Sequence, residues 1–492
     1  MGAAPPRELL LKLSNGSSML VPASLGSITT YVLIEQEAWF EKELDFLYRW
    51  VRPGMIVIDI GANLGVYSLP LTRLVGPAGR VFAYEPGSQP RGLLHKSAAL
   101  DPEGNLEVIA LALSDGEREG RLSIGRSSEL GSLGGTGDGE AVRITSLDLE
   151  DARRGWAAPD FVKIDAEGEE GRILRGGQGF FARHSPLVMF EIKAGLTVNE
   201  ELRADLSAMG YGIYRLLAGA PILVPDRPGT PLDAFELNLF AAKPDRARAL
   251  ALEGLLVDQA TTWAPDEAAR ERALSFLQAQ SFGNDLASRI QGPPALDPDY
   301  RDALAAYAHW RQPAVPIAER YAALMLACRL LEALCTRAPS FARLSTFARA
   351  AWDAGLRGQS VGILQQLIGR ANRATIAITE PLWPACPRYE AVVPGAETGA
   401  WLVAAAIEQF ERTSTHSSQF GPASPYLSWL CSTPFASAEM ERRRVLTALR
   451  DGQRPVIPQR LRAAAADNLN PDIWQARFLG GEAAKRSRRR TR

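Results

Sequence analysis

The stretch Val57-Ile58-Asp59-Ile60-Gly61-Ala62-Asn63-Leu64-Gly65 decides how the first half of the chain folds. An apolar run ends in a glycine turn, and a helical pattern follows. That order marks a β-strand stopping in a tight turn that opens a helix, where free main-chain N–H groups favour a polar ligand. Gly61 and Gly65 are expected to leave room for a ligand against the backbone, with Ala62 and Asn63 forming the turn between them. On that expectation Gly61→Val removes ligand binding and spares the fold. A dinucleotide site of the Gly-x-Gly-x-x-Gly kind asks for glycine at position 63, which is Asn63 here. The spacing Asp-x-Gly-x-x-x-Gly instead suits S-adenosyl-L-methionine. That ligand has no pyrophosphate to seat on a middle glycine, and it carries an ammonium that Asp59 can hold directly or through water.

Similar runs recur outward from this stretch: RVFAYEP (80–86), LEVIALALS (106–114), DFVKIDAEG (160–168), PLVMFEIK (186–193), YGIYRLL (211–217) and FELNLFAAK (235–243). Helical patterns at 65–74, 168–176 and 199–209 lie between them. Strands alternating with helices predict an α/β fold: a doubly wound, mostly parallel, seven-stranded Rossmann-like sheet. The run MIVIDI has little polar alternation, as a sheet covered on both faces requires. FELNLFAAK is expected as an antiparallel edge strand. Glu85, ending the second strand, is placed to accept both hydroxyls of a ribose. Ser114 and Asp115, ending the third, are placed to meet an adenine edge. The Gly-rich run 125–140 is expected to be a mobile loop over the site.

Beyond residue 245 the pattern turns helical, with apolar residues at spacings of three and four. The expected division is a cofactor domain over 1–245, an all-α accessory domain over 246–480 and a basic disordered tail over 481–492. No repeat in register is found in the helical half. Because all seven expected strands precede residue 245, a fragment cut there is expected to keep its cofactor site. Stacked helices make extended binding faces, so a protein partner or substrate platform is expected in the helical half.

Composition narrows the function classes. The chain has 492 residues, 46% hydrophobic and 23% charged, which excludes a disordered or fibrous protein. A formal net charge of -1 supplies no field for nucleic acid or an anionic membrane, although six of the last eight residues, KRSRRRTR, are basic. The four cysteines show neither zinc-site nor disulfide spacing, and no uncharged run reaches the ~18 residues of a membrane span. A cytoplasmic bacterial protein is expected, with no nucleic-acid partner.

The run from Tyr31 to Lys243 resembles the FkbM family of S-adenosylmethionine-dependent methyltransferases. The resemblance rests on VIDIGANLGVYSL (57–69), YEP (84–86), ALSDG (112–116), FVKIDAEGEEGRILRGG (161–177) and PLVMFEIK (186–193). Lys163, Ile164, Asp165, Glu167, Gly168 and Glu170 match the family pattern Lys-Ile-Asp-x-Glu-Gly-x-Glu. Gly87 and Ser97 stand where the family usually has Asn. The resemblance implies O-methylation of a hydroxyl, often on a sugar, glycan or secondary metabolite. Ligands of parallel sheets sit outside the carboxyl ends of the strands, so Asp165, Glu167 and Glu191 are the candidate catalytic residues. Lys163 is placed to pair with one of these acids or to contact substrate. The acids have the chemistry to hold a divalent cation, but nothing in their spacing requires one, and no metal is expected. The competing reading is a non-catalytic adaptor that binds cofactor and presents a helical interaction domain. A degenerate adaptor would be free to lose Asp165 and Glu167, and both are present.

Overall fold

Val57, Ile58 and Ile60 are all closed off from solvent, and such a strand must lie inside a sheet covered on both sides. The computed structural model describes residues 8–101, 103–124, 131–133, 139–194, 197–227, 232–233, 235–289, 296–422 and 424–475. Much of the Gly-rich run and the basic tail therefore lie outside the described residues. A hairpin of β1 (Glu8–Lys12) and β2 (Ser18–Pro22) precedes three parallel strands, β3 (Ile56–Ile60), β4 (Arg80–Tyr84) and β5 (Leu106–Ile109). A small second sheet follows, of β6 (Ala112–Ser114), β7 (Arg118–Ile124), β8 (Gly131–Leu133) and β9 (Glu140–Ser146). Next come β10 (Phe161–Ile164), β11 (Leu187–Glu191), the short pair β12 (Lys193–Ala194) and β13 (Thr197–Val198), then β14 (Gly212–Leu216), β15 (Leu223–Pro225) and β16 (Asn238–Ala242).

The main sheet runs β15-β14-β16-β11-β10-β3-β4-β5. Its core is parallel: Val162 of β10 pairs with Ile58 on one side and Val188 on the other. Alternate side chains feed two cores. Val57, Phe161 and Leu187 pack with Phe46, Trp50 and Leu71 on one face. Ile58, Val162 and Phe190 pack with Phe180, Phe181 and Leu202 on the other.

Three details differ from the sequence expectation. The sheet has eight strands rather than seven, because β15 folds back on β14 as a hairpin. LEVIALALS is divided: its first part is β5 of the main sheet, and its second, β6, pairs with β9 in the small sheet. The last strand is antiparallel but is not an edge. β16 lies between β11 and β14, and all five of its residues are buried, whereas β14 is only partly so. A strand with both faces and both edges covered is the better place for the run NLFAA.

The packing also crosses residue 245. The helix Pro244–Leu252 lies against the sheet through Ala247 and Leu250. Leu217, Ala220 and Ile222 join the core of the helical half. The end of the chain returns to its beginning: Leu446, Leu449, Leu461 and Trp474 share a core with Leu11, Met19, Tyr31 and Leu94. Glu35, fully buried, pairs with Arg443 at 3.0 Å, and Arg442 pairs with Glu37 at 3.4 Å.

Candidate active site

The turn after β3 is built on left-handed backbone. Gly61, Asn63 and Gly65 have φ of 79°, 49° and 90°. Asn tolerates that region better than most side chains, which fits its place in the turn. The need for Gly61 differs from the sequence expectation. A Cβ there would stand 1.8 Å from the backbone oxygen of Asp165, and one on Gly65 would meet Leu94 Cδ1 at 2.4 Å. The space belongs to the protein, since β3 and β10 stop side by side and their turns touch. Gly61→Ala is thus expected to disrupt the fold rather than spare it, with destabilisation well beyond the ~1 kcal/mol of an ordinary glycine change. Thermal denaturation of the variant checks this; an unchanged melting temperature would refute it.

The carboxyl ends of β3, β4 and β10 open onto a cavity of about 330 Å³. Asp59, Gly61, Ala62, Asn63, Glu85, Lys163, Asp165 and Glu167 line it, so most of the expected positions converge. Gly65 is not on its wall. Asp59 is buried; its Oδ2 accepts from Ser68 Oγ at 2.6 Å, while its Oδ1 has no hydrogen-bond partner among the described residues. Glu85 is also buried, and its two oxygens accept from Asn63 N at 2.9 Å and Gly87 N at 2.7 Å. Burial pushes its carboxyl up to about 7.

Lys163 is the cation of this site. Its Nζ lies 2.8 Å from Asp165 Oδ2 and 3.7 Å from Asp59 Oδ1, over the ring of Tyr67. Burial opposes its charge, but the Asp165 and Asp59 carboxylates outweigh that and hold its pKa above the ordinary lysine value. Glu167 is exposed and sits at a φ of 50°, a strained position for a residue with a side chain. Desolvation, then Asp165 and Glu170, push its carboxyl up to about 7. Glu191 is not on the cavity wall; burial, then Asp165 and Glu167, push it up to about 9. Glu170 takes a structural part, its Oε1 accepting from Ala166 N at 2.9 Å and Gly168 N at 3.1 Å.

Ser114 and Asp115 do not reach the cavity through their side chains. Ser114 Oγ donates to Glu169 Oε2 at 2.7 Å, and Asp115 pairs with Arg118 at 2.6 Å. The wall there is made by Leu111, Ala112 and Leu113 instead, because the chain leaves the main sheet after β5. Sequence reasoning also missed Glu41, Tyr67 and Trp39, which line the cavity. Glu41 accepts a hydrogen bond from the Tyr67 hydroxyl, and burial, then Glu43, push its carboxyl up to about 8. Tyr67 lies within the recognised motif run, but Glu41 precedes the first strand of the main sheet, where no pattern marks it. Among the described residues no three His, Cys, Asp or Glu side chains group to hold a metal ion.

A family model described as a Methyltransferase FkbM domain matches residues 59–213. That segment carries an FkbM methyltransferase domain. The FkbM domain holds Asp59, Glu85, Lys163, Asp165 and Glu167, whereas Trp39 and Glu41 come from outside the match. The chain is 29% identical to a 31-O-demethyl-FK506 methyltransferase FkbM of Streptomyces tacrolimicus, over 27% of this chain and 68% of that protein. Among solved structures it is similar to a methyltransferase FkbM from Methylobacillus flagellatus, at 16% identity and a TM-score of 0.27. That likeness covers 38% of this chain and 43% of the other, so the chain spans less than half of that protein's length. An Aeropyrum pernix fibrillarin with natively bound S-adenosyl-L-methionine is similar over 49% of this chain and 96% of its own, at 14% identity and a TM-score of 0.26. No helix among the described residues is long and apolar enough to cross a membrane.

Proposed function

We propose that the FkbM domain transfers a methyl group from S-adenosyl-L-methionine to a hydroxyl of an acceptor bound beside Asp165. The observation that carries this reading is the convergence of Asp59, Glu85 and Asp165 on one cavity at the ends of adjacent parallel strands. The residues fit the cofactor. Asp59 Oδ1, buried and without a hydrogen-bond partner, suits the ligand's ammonium. Each oxygen of Glu85 accepts one main-chain N–H and keeps acceptor capacity for a ribose hydroxyl. Leu111, Leu113 and Leu122 offer an apolar wall to a flat base.

When bound, the cofactor supplies an electrophilic methyl group on a sulfonium. The chain's own part is to hold and deprotonate the acceptor. Asp165 directly follows β10 and lines the cavity, fixed by Lys163, and is the residue assigned to take the hydroxyl proton. Desolvation, and then the neighbouring Asp165 carboxylate, raises the proton affinity of Glu167 and Glu191, which suits relay of that proton outward.

Calorimetry tests the cofactor assignment. S-Adenosylhomocysteine is expected to bind with micromolar affinity and NADH not at all; NADH binding in this cavity would overturn the reading. The affinity is expected to depend on pH with a defined sign. Ribose hydroxyls donate to the ionised Glu85, whose pKa in the unliganded protein is about 7. Affinity should therefore fall below that value, by up to about tenfold per pH unit, and level off above it. In Glu85→Gln this dependence should vanish.

A further inference from the structure

The cavity at the ends of β3, β4 and β10 is one-sided in charge. Among the described residues its wall carries six acidic side chains, Glu41, Asp59, Glu85, Glu140, Asp165 and Glu167, and one basic side chain, Lys163. Lys163 is already taken by Asp165 at 2.8 Å and Asp59 at 3.7 Å. Even so, Asp59 Oδ1, closed off from solvent, has no hydrogen-bond partner among the described residues. The carboxyl of Glu41, half-buried, accepts from the Tyr67 hydroxyl and has no cation within ion-pair distance among those residues. The neighbours do not offset the excess. Glu41 is faced by Glu43, Tyr67, Asp165 and Lys163, and Glu167 by Asp165, Glu170, Glu191 and Lys163. Beyond Glu41 lies a smaller cavity of about 70 Å³, lined by Glu43, Asp233 and Glu236 as well as Lys42 and Arg357. His416, on the same wall, is neutral, since burial and then Arg357 push it down to about 3.

We infer that the larger cavity selects its ligand by charge: it favours the sulfonium cofactor over the uncharged thioether that remains after transfer, and Glu41 and Glu167 are the side chains that tell the two apart. The inference rests on the methyltransferase reading and deepens it, because it names what drives the spent cofactor out of the site. The two ligands share adenine, ribose, ammonium and carboxylate. They differ by one methyl group and one positive charge. Carboxyls crowded by others of the same sign resist ionisation, and a cation beside them reverses that. The sign with pH follows. Burial and then Glu43 hold Glu41 at about 8, and burial and then Asp165 hold Glu167 at about 7. At pH 6 both carry their protons and add little attraction for a cation. As the pH rises to 7.5 the carboxylates form, the more readily when the sulfonium is present, and the preference for the charged ligand grows. The dependence assigned to Glu85 acts through the ribose, which both ligands carry, and so cancels in the ratio of their affinities.

The test uses the full chain and titration calorimetry with S-adenosyl-L-methionine, S-adenosylhomocysteine and sinefungin, which carries an ammonium in place of the sulfonium methyl. At pH 7.5 both cationic ligands are expected to bind at least about fivefold more tightly than S-adenosylhomocysteine, and that ratio should fall at least about threefold by pH 6. Replacing both side chains, Glu41→Gln with Glu167→Gln, should cut the preference at least about threefold at pH 7.5 and flatten its pH dependence. S-Adenosylhomocysteine affinity should stay within twofold in this variant, which also shows that it is folded; if it is not, the wild-type pH series and the sinefungin comparison decide. Equal or tighter binding of S-adenosylhomocysteine at pH 7.5, a ratio unchanged between pH 6 and 7.5, or an undiminished preference in the folded variant would overturn the proposal. Preference for S-adenosyl-L-methionine without preference for sinefungin would assign the effect to methyl packing and overturn it as well. Failure of the wild-type chain to bind any of the three would strike the methyltransferase reading instead.

Discussion

Asp165→Asn is expected to lower turnover by at least ~100-fold while changing cofactor affinity by less than about tenfold, or ~1.4 kcal/mol. The split follows from position. The groups assigned to the cofactor, Asp59 and Glu85, lie at the carboxyl ends of β3 and β4, and Asp165 directly follows β10. Asparagine keeps the shape and one oxygen for the 2.8 Å contact with Lys163, but it cannot accept a proton from the hydroxyl. Single-turnover methyl transfer and calorimetry with S-adenosylhomocysteine separate the two effects. Equal losses in both would make Asp165 a cofactor ligand. No loss in either would move the base to Glu167 or Glu191, whose raised proton affinities suit that part.

A fragment ending at residue 245 is expected to fail to fold, contrary to the independence that strand counting alone suggests. Removing the later residues takes away Arg443, the ion-pair partner of Glu35, together with the side chains that bury the pair. The same cut strips Leu446, Leu461 and Trp474 from Leu11, Met19 and Tyr31, and the helical core from Leu217 and Ile222. Each large apolar side chain so exposed loses roughly 1.5–3 kcal/mol, against a total stability of about 5–15 kcal/mol. The measurements are solubility, near-ultraviolet circular dichroism and cofactor binding of the fragment. A fragment that melts cooperatively and binds S-adenosylhomocysteine would show that the second half is an appendage.

The parts legible in the sequence are those whose meaning is local. The strand, turn and helix around Asp59 follow from a few consecutive residues, and Glu85 and Asp165 are placed by the same rule one and several strands later. The rest needs partners distant in sequence. Nothing near Gly61 reveals that its missing side chain makes way for the Asp165 carbonyl. The break of LEVIALALS between two sheets depends on β9, and the insertion of β16 between β11 and β14 depends on which edges remain open. Glu41 carries no motif, and it gains its place only when the chain folds over the strand ends. Ser114 and Asp115 miss the cavity because the strand they end belongs to the small sheet, the chain having changed sheets after Ile109.

The return of the chain end onto its beginning bears on how the protein is made. Arg442 contacts the Glu35 carbonyl across 407 residues of sequence. At about 5–20 residues per second, roughly 20–80 s pass between the emergence of the first partner from the ribosome and that of the second. During that interval Leu11, Met19 and Tyr31 lack the part of their cover that Leu446, Leu461 and Trp474 supply. A nascent chain in this state is a client for holding chaperones, and ribosomes stalled late in the message would release a product that cannot finish folding.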